Sequence, residues 1–224
     1  AKNFAGQWLQ LRDLDLLTPD PERFPSFDGN LRKAMRVETE TFFLHLLHED
    51  RPVTEFLNAD YTFANASLAR HYGLSGKFEE SKHKRVSLKD RKLHRGGILT
   101  HASVLSLTSN PTRTSPVKRG KWVLDNILGT PPKEPPPNIP ELVENSPKSR
   151  GKTLRDQLAA HSAQSLCASC HISMDAIGFA LENYDAVGRW RERDAGKLID
   201  ASGKLPTGET FSGAGQLQDF IVRS

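Results

Sequence analysis

The sequence has little cysteine and methionine and no long apolar run. Only two of the 224 residues are cysteine, and only two are methionine. The two cysteines, Cys167 and Cys170, are too few for the multi-disulfide framework that stabilises many small secreted domains. No apolar run approaches the roughly 18 residues of a membrane-spanning helix. The net charge is only +4, too small to indicate a nucleic-acid surface. We therefore expect neither a nucleic-acid partner nor a membrane span in this chain.

Apolar residues recur at helical spacing along most of the chain. Asp28 or Asn30 is expected to cap the second of the helices, and Gly73 and Gly129 follow the ends of two others. Residues 74–96 are polar and basic, which predicts a connecting loop. The apolar run 97–107 fits either a helix or a buried strand. The predicted helices cover residues 1–17, 31–47, 65–71, 117–128 and much of 150–185.

Proline and glycine divide the C-terminal half of the chain. Prolines recur from Pro131 to Pro140, and this density predicts an extended polyproline II segment at a domain boundary. After residue 185, glycines separate short apolar pieces. We expect small β hairpins around Leu198-Ile199 and Phe211, followed by a final helix from about Gln216.

The cysteines form the motif Cys167-Ala-Ser-Cys170-His171, which has the spacing of a c-type haem attachment site. Residues three apart share one face of a helix, so both thiols can form thioethers with the vinyl groups of one porphyrin. His171 then reaches the iron from the same side. Two alternatives stay open, a redox-active dithiol and a zinc site, but the chain lacks a clear βαβ context for the first and a regular ligand pattern for the second.

The sequence around the motif, from Cys167 to Trp190, resembles the haem segment of large planctomycete-type cytochrome c proteins. Similar stretches occur at residues 3–9, 95–100, 108–120 and 128–132. Ala176 departs from this family, which often has proline there, and we expect the difference to affect a turn after the haem helix. The resemblance implies a periplasmic or otherwise exported protein, and it implies that this chain is the C-terminal part of a larger one. It implies no particular reaction.

The identity of the sixth iron ligand separates electron transfer from catalysis, because an open position permits peroxide or oxygen chemistry. His101 is the favoured candidate, since it lies in the apolar run 97–107, where a neutral metal-bound imidazole is less costly than a charged one. The alternative interpretation is that His101 is a buried histidine with a purely structural role. Met174 is too close to His171 to cross the porphyrin and is expected to pack on the ring, and His161 is a weaker candidate. Met35 is predicted to lie in the core.

Several other residues are candidates for contacts with the haem or for the local structure around it. Arg113, Lys118 and Arg119 could bind the propionates, since arginine–carboxylate pairs are strong. Arg189 and Trp190 could cover the ring. Asp175 could cap a following helix, and Glu182 could pair with Arg189. His83 and His94 are expected to be solvated, and His45 and His48 to lie at the edge of the core.

We therefore predict a mainly α fold, with a helical N-terminal region packed on a small cytochrome-c-like haem domain that carries short β hairpins. The expected segments are a helical domain at 1–90, a helical segment and proline-rich strap at 91–145 that forms the distal wall of the haem pocket, and a haem domain at 146–224. The expected function is electron transfer through covalently bound haem c, as a module and not a complete enzyme. Its partner would be a redox protein or other domains of the parent chain. The alternative is a peroxidase- or oxygenase-like enzyme with an open sixth position.

Overall fold

The computed structural model describes residues 1–132, 152–162 and 165–223, and it describes their side chains except at 91 and 159–170. Most of the predicted polyproline segment lies outside these residues. The described part is mainly α-helical with short antiparallel hairpins, as predicted. No helix in these three ranges is both long and apolar enough to cross a membrane.

The chain forms two compact units. The first unit consists of Ala1–Ser115, Tyr184–Trp190 and Ala214–Ser224, and the second consists of Pro116–Asn183 and Arg191–Gly213. The three functional segments predicted above stay a prediction.

Helices form most of the first unit. Its α-helices are α1 (Lys2–Trp8), α2 (Gly29–His48), α3 (Glu55–Asn58), α4 (Ala66–Tyr72), α5 (Ala102–Leu107) and most of α9 (Gly213–Arg223). The long helix α2 contributes Leu31, Ala34 and Met35 to the core, which confirms the predicted position of Met35. Burying such apolar side chains is the main favourable term in folding.

The predicted caps at Asp28 and Gly73 are confirmed. The side chain of Asp28 accepts a hydrogen bond from the Leu31 amide at 2.7 Å. Asn65, expected as the first residue of its helix, instead caps α4 by accepting from the Leu68 amide at 3.0 Å. Gly73 ends α4 with a φ of 69°, in the left-handed region that glycine adopts at low cost.

The single predicted helix at 1–17 is wrong. The helix α1 ends at Trp8, Gln10 has a φ of 59°, and a 3₁₀ helix follows at Leu11–Leu16. Residues two apart do not share a face of a continuous helix, yet Leu9 and Leu11 are both buried. The break at Gln10 lets the chain bury both leucines.

The predicted loop at 74–96 contains a strand. Residues Lys84–Ser87 form β2, which pairs antiparallel with the buried strand β1 (Tyr61–Ala64) in the register Tyr61↔Ser87 to Ala64↔Lys84. Strand β2 is mostly exposed and carries two basic residues, so its sequence lacks the apolar alternation that predicts a strand. Pairing with β1 supplies the stabilisation that its own composition does not.

The second unit is built around two packed helices, α6 (Pro116–Val123) and α8 (Ser165–Phe179), with α7 (Leu154–Ser162) beside α8. The predicted helix at 117–128 continues past α6 as a π-helical turn at Leu124–Leu128, which was not predicted, and Gly129 follows its end as predicted. The predicted hairpins are confirmed as β3 (Arg193–Asp194) with β4 (Lys197–Leu198), and β5 (Ser202–Lys204) with β6 (Thr210–Ser212). The final helix α9 begins at Gly213, three residues before the predicted start.

Candidate functional site

The cysteine motif lies on helix α8 of the second unit. Positions 167, 170 and 171 fall within one stretch of helix that runs from Ser165 to Phe179. The side chains of Cys167 and Cys170 lie outside the described residues, as does that of His161. The imidazole of His171 is described and is 16% exposed. Helical spacing of three and four residues places the three positions of the motif on one face.

The side chain of Asp175 holds the imidazole of His171. The Nδ1 atom of His171 lies 3.2 Å from Oδ1 of Asp175, one helical turn further along, and the Asp175 side chain is only 10% exposed. The expectation that Asp175 caps a following helix is wrong, because α8 continues for four more residues to Phe179. The expected turn near Ala176 is wrong for the same reason. The His-x-x-x-Asp spacing on a helix is the sequence signal that could have identified this pair.

Close backbone contacts hold α8 on both sides of Asp175. A Cβ atom at Gly120 of α6 would overlap the backbone of Met174, and one at Gly203 of β5 would overlap the carbonyl oxygen of Ala176. Further along, a Cβ at Gly178 would overlap the backbone of Pro116. Only glycine permits helices and strands to approach this closely. The part of α8 that carries Asp175 is therefore fixed in position by its neighbours.

Met174 is buried beside this contact. Its expected packing against a haem ring stays a prediction.

Two of the arginine and lysine candidates for haem propionates lie in the second unit, and their environments differ. Arg119 is buried, donates to the carbonyl oxygen of Leu181 at 2.7 Å, and lies 3.3 Å from the carboxylate of Glu182. Arg191 also pairs with Glu182, at 2.9 Å. The expected pair of Glu182 with Arg189 is therefore wrong, since Arg119 and Arg191 take its place. Lys118 is exposed.

A groove of about 220 Å³ lies beside the hairpin β3–β4 in the second unit. Its carboxylates outnumber its cations, so the lining does not favour an anionic ligand. The charged lining residues are Arg155, Asp156, Glu182, Asp194, Lys197 and Asp200.

His101 lies in the first unit, in a buried polar cluster between α2 and α5. Its Nδ1 atom is 3.0 Å from Oγ1 of Thr39, which is in turn 2.6 Å from Oγ of Ser103, and its ring packs edge-on against Phe42. Its Nε2 atom is buried without a hydrogen-bond partner among the described residues. Burial, helped by the charge of Arg95, lowers the pKa of His101 to about 3, so the ring is neutral. A neutral imidazole is compatible with both interpretations of His101, a metal ligand and a structural histidine.

Glu38 forms a second buried centre near this cluster. Its two carboxylate oxygens accept hydrogen bonds from Thr62 and Tyr72, both at 2.6 Å. The hydroxyl of Tyr72 accepts in turn from the amide of Ala102 at 2.8 Å, and the guanidinium of Arg95 lies over the Tyr72 ring at 3.6 Å. Burial raises the pKa of Glu38 to about 7. The helical spacing had placed Glu38 on the same face as Met35 and Phe42, but it did not predict a buried carboxyl group, because a glutamate on a helix is usually solvated.

The remaining haem candidates of the first unit have other partners. Arg113 donates to the carbonyl oxygen of Thr114 at 3.0 Å. The ring of Trp190 stacks on His94, with centroids 3.8 Å apart, and its edge meets Tyr184. The roles of Arg113 and Trp190 at a haem stay predictions, as does the pairing of His101 with His171 across one iron.

His83 and His71 contact backbone carbonyl groups in a way that the sequence did not predict. His83, expected to be solvated, is partly buried and lies 3.1 Å from the carbonyl oxygen of Ala34. The Nε2 atom of His71 lies 2.7 Å from the carbonyl oxygen of Val187, and burial lowers its pKa to about 3. His45 packs edge-on against Tyr61 and Phe63, whereas His48 is exposed.

In the parts of the chain that the structure describes, no group of three histidine, cysteine or acidic residues could hold a metal ion.

Two stretches of the chain match models of known families. Residues 95–194, which include the cysteine motif, match the family PSCyt3, described as a protein of unknown function (DUF1588). Residues 1–74 match the family PSD4, also a protein of unknown function (DUF1592). Both are domains associated with planctomycete-type cytochrome c proteins, which agrees with the resemblance seen in the sequence. No curated protein and no solved structure matches the chain.

Proposed function

We propose that this chain carries a covalently bound haem c and transfers electrons as a module of a larger exported protein. The observation that carries the proposal is the motif Cys167-Ala-Ser-Cys170-His171 on helix α8, with the Nδ1 of His171 already held by Asp175. The similarity of residues 95–194 and 1–74 to domains associated with cytochrome c proteins supports it.

The chemistry of the donor set fits a haem c. Cys167 and Cys170 would each form a thioether to the porphyrin, and Nε2 of His171 would coordinate the iron. A histidine that ligates a metal usually donates its other ring N–H to a carboxylate or a carbonyl, and Asp175 provides that acceptor. A haem c so bound supplies a one-electron Fe(III)/Fe(II) couple.

The surrounding residues would hold the group and set its environment. The close packing of α6 and β5 against α8 would keep His171 in one position during electron transfer. We retain Met174 as a contact to the ring, Trp190 as a cover, Arg113 at the propionates and His101 as the sixth iron ligand. The partner would be a redox protein or other domains of the parent chain.

The first test is covalent haem attachment. The chain is expressed in the bacterial periplasm with a c-type maturation system, and haem is detected on a denaturing gel and by its reduced spectrum. We expect haem that survives denaturation in the wild type, loss of it in the double variant Cys167→Ser/Cys170→Ser, and no loss in His48→Gln, a change at an exposed histidine. A folded wild type without covalent haem would overturn the proposal.

Carbon monoxide separates electron transfer from the enzyme alternative. A six-coordinate haem with a protein ligand on both sides ignores carbon monoxide, and an open one binds it. We expect the reduced wild type to keep its spectrum under carbon monoxide and the variant His101→Gln to change it. A wild type that binds carbon monoxide would favour the peroxidase- or oxygenase-like enzyme.

A further inference from the structure

The Asp175–His171 pair is placed more firmly than an ordinary pair on a helix surface. Pairs of charged side chains one turn apart on an exposed helix contribute only a few tenths of a kcal/mol, because water competes for both partners. Here the Asp175 side chain is 10% exposed and the His171 side chain 16%. Water therefore competes little for the hydrogen bond between Nδ1 and Oδ1.

The backbone on each side of Asp175 is fixed as well. Gly120 lies against the backbone of Met174, the residue before Asp175, and Gly203 lies against the carbonyl oxygen of Ala176, the residue after it. Because the backbone on both sides of Asp175 is fixed, only the side-chain torsions of Asp175 can move its carboxylate. The hydrogen bond therefore favours one orientation of the imidazole, as expected of a positioning residue.

The hydrogen bond also determines which ring nitrogen carries the proton. With a carboxylate at Nδ1, the proton resides there, and the lone pair resides on Nε2. A carboxylate acceptor increases the electron density of the imidazole and makes it a stronger donor to a metal. A stronger donor stabilises ferric iron more than ferrous iron.

We propose that Asp175 is a positioning residue that fixes the orientation and tautomer of His171 and lowers the reduction potential of the haem that it ligates. This inference rests on the proposed function for its redox part. In the step concerned, one electron enters from an external mediator, ferric iron becomes ferrous, and no bond is made or broken.

The redox test compares Asp175→Asn with the wild type in the haem-loaded chain, by potentiometric titration with mediators at pH 8. We expect the equilibrium constant for reduction to rise about tenfold in Asp175→Asn, which is about 59 mV for one electron. The variant Asp175→Glu keeps the negative charge. We expect its reduction potential to differ from that of the wild type by at most half of the shift seen in Asp175→Asn.

The control is Asp125→Asn, which removes the same charge from the second unit at a residue that pairs with Lys121. We expect it to change the equilibrium constant less than twofold. An unchanged potential in Asp175→Asn, or an equal shift in Asp125→Asn, would overturn the proposal.

A second measurement keeps the two proposals separate and needs no haem. In the haem-free chain labelled with ¹⁵N, the ring nitrogens of His171 report its tautomer by nuclear magnetic resonance at pH 8. We expect the proton on Nδ1 in the wild type and a mixture of tautomers in Asp175→Asn. If the wild type shows this tautomer but never accepts haem, the proposed function fails while the positioning role of Asp175 stands. If the two chains have the same mixture, the positioning role fails.

Discussion

The guanidinium of Arg119 lies 3.3 Å from the carboxylate of Glu182, and both side chains are buried within the second unit. Arg119 extends from α6, the helix that packs on the motif-bearing α8, and also donates to the carbonyl oxygen of Leu181 just beyond α8. The pair therefore ties α6 to the segment that follows the motif. A guanidinium engaged in this way serves the fold of the second unit.

Removing this arginine should destabilise the second unit strongly. The variant Arg119→Met keeps most of the apolar stem but leaves the Leu181 carbonyl and part of the Glu182 carboxylate without their buried partner. Breaking a buried ion pair from one side costs about 3–5 kcal/mol, and we expect about 3 kcal/mol because Arg191 still reaches Glu182. Urea unfolding followed by circular dichroism measures the loss.

The matched control is Lys121→Met, which removes the cation of the exposed pair that Lys121 of α6 forms with Asp125. Exposed pairs contribute at most about 1 kcal/mol. If Arg119→Met and Lys121→Met lower the free energy of unfolding equally, the buried pair of Arg119 with Glu182 contributes no more to stability than the exposed pair.

A single methyl group at Gly120 should separate α6 from α8. In an isolated helix, alanine is more favourable than glycine by about 1 kcal/mol. At Gly120 the new Cβ would overlap the backbone of Met174, which cannot move as a flexible side chain would. We expect Gly120→Ala to lower the free energy of unfolding by about 3 kcal/mol, the upper end of ordinary overpacking costs.

The comparison for this variant is Gly215→Ala on α9, where a Cβ would meet nothing within 4 Å. That change should be neutral or stabilise the chain by up to about 1 kcal/mol. A stabilising Gly120→Ala would show that α6 and α8 are not in close backbone contact.

Glu38 should make the first unit less stable as the pH rises. Burial raises its pKa from 4.5 to about 7 in the folded chain, against the opposing effects of Thr62, Tyr72 and Arg95. Between these values the folded state holds a proton that the unfolded state has released, so the free energy of unfolding falls as pH increases. The slope from one such group is at most about 1.4 kcal/mol per pH unit.

Urea unfolding between pH 4.5 and pH 7.5 isolates this contribution when the wild type is compared with Glu38→Gln. We expect the stability difference between wild type and variant to shift against the wild type as the pH rises through this range. The exposed Glu49 at the end of α2 provides the control Glu49→Gln, which should keep the wild-type pH profile. If Glu38→Gln keeps it too, Glu38 is not the group responsible.

Features that depend only on neighbouring residues can be derived from the sequence. The attachment motif is complete within five positions, and its chemistry depends on a spacing of three residues along a helix. The caps at Asp28 and Asn65 and the left-handed glycine at Gly73 are equally local, since a cap bonds an amide two or three residues away. The mainly α fold follows from apolar spacing repeated over many residues.

Features that depend on partners distant in the sequence become visible only in the folded chain. The polar segment Lys84–Ser87 becomes a strand because it pairs with the buried strand Tyr61–Ala64. Arg119 resembles a surface residue in the sequence, and its contacts with Leu181 and Glu182, from a later part of the chain, help to offset the cost of burying its charge. The role of Asp175 depends on both local and distant residues. Its spacing from His171 is visible in the sequence. Its effect also requires that α8 continue past it and that Gly120 and Gly203, from other elements, hold that stretch in place. Caps and motifs depend on residues that are close in the sequence. The burial of polar groups depends on hydrogen-bond and ion-pair partners from distant parts of the chain.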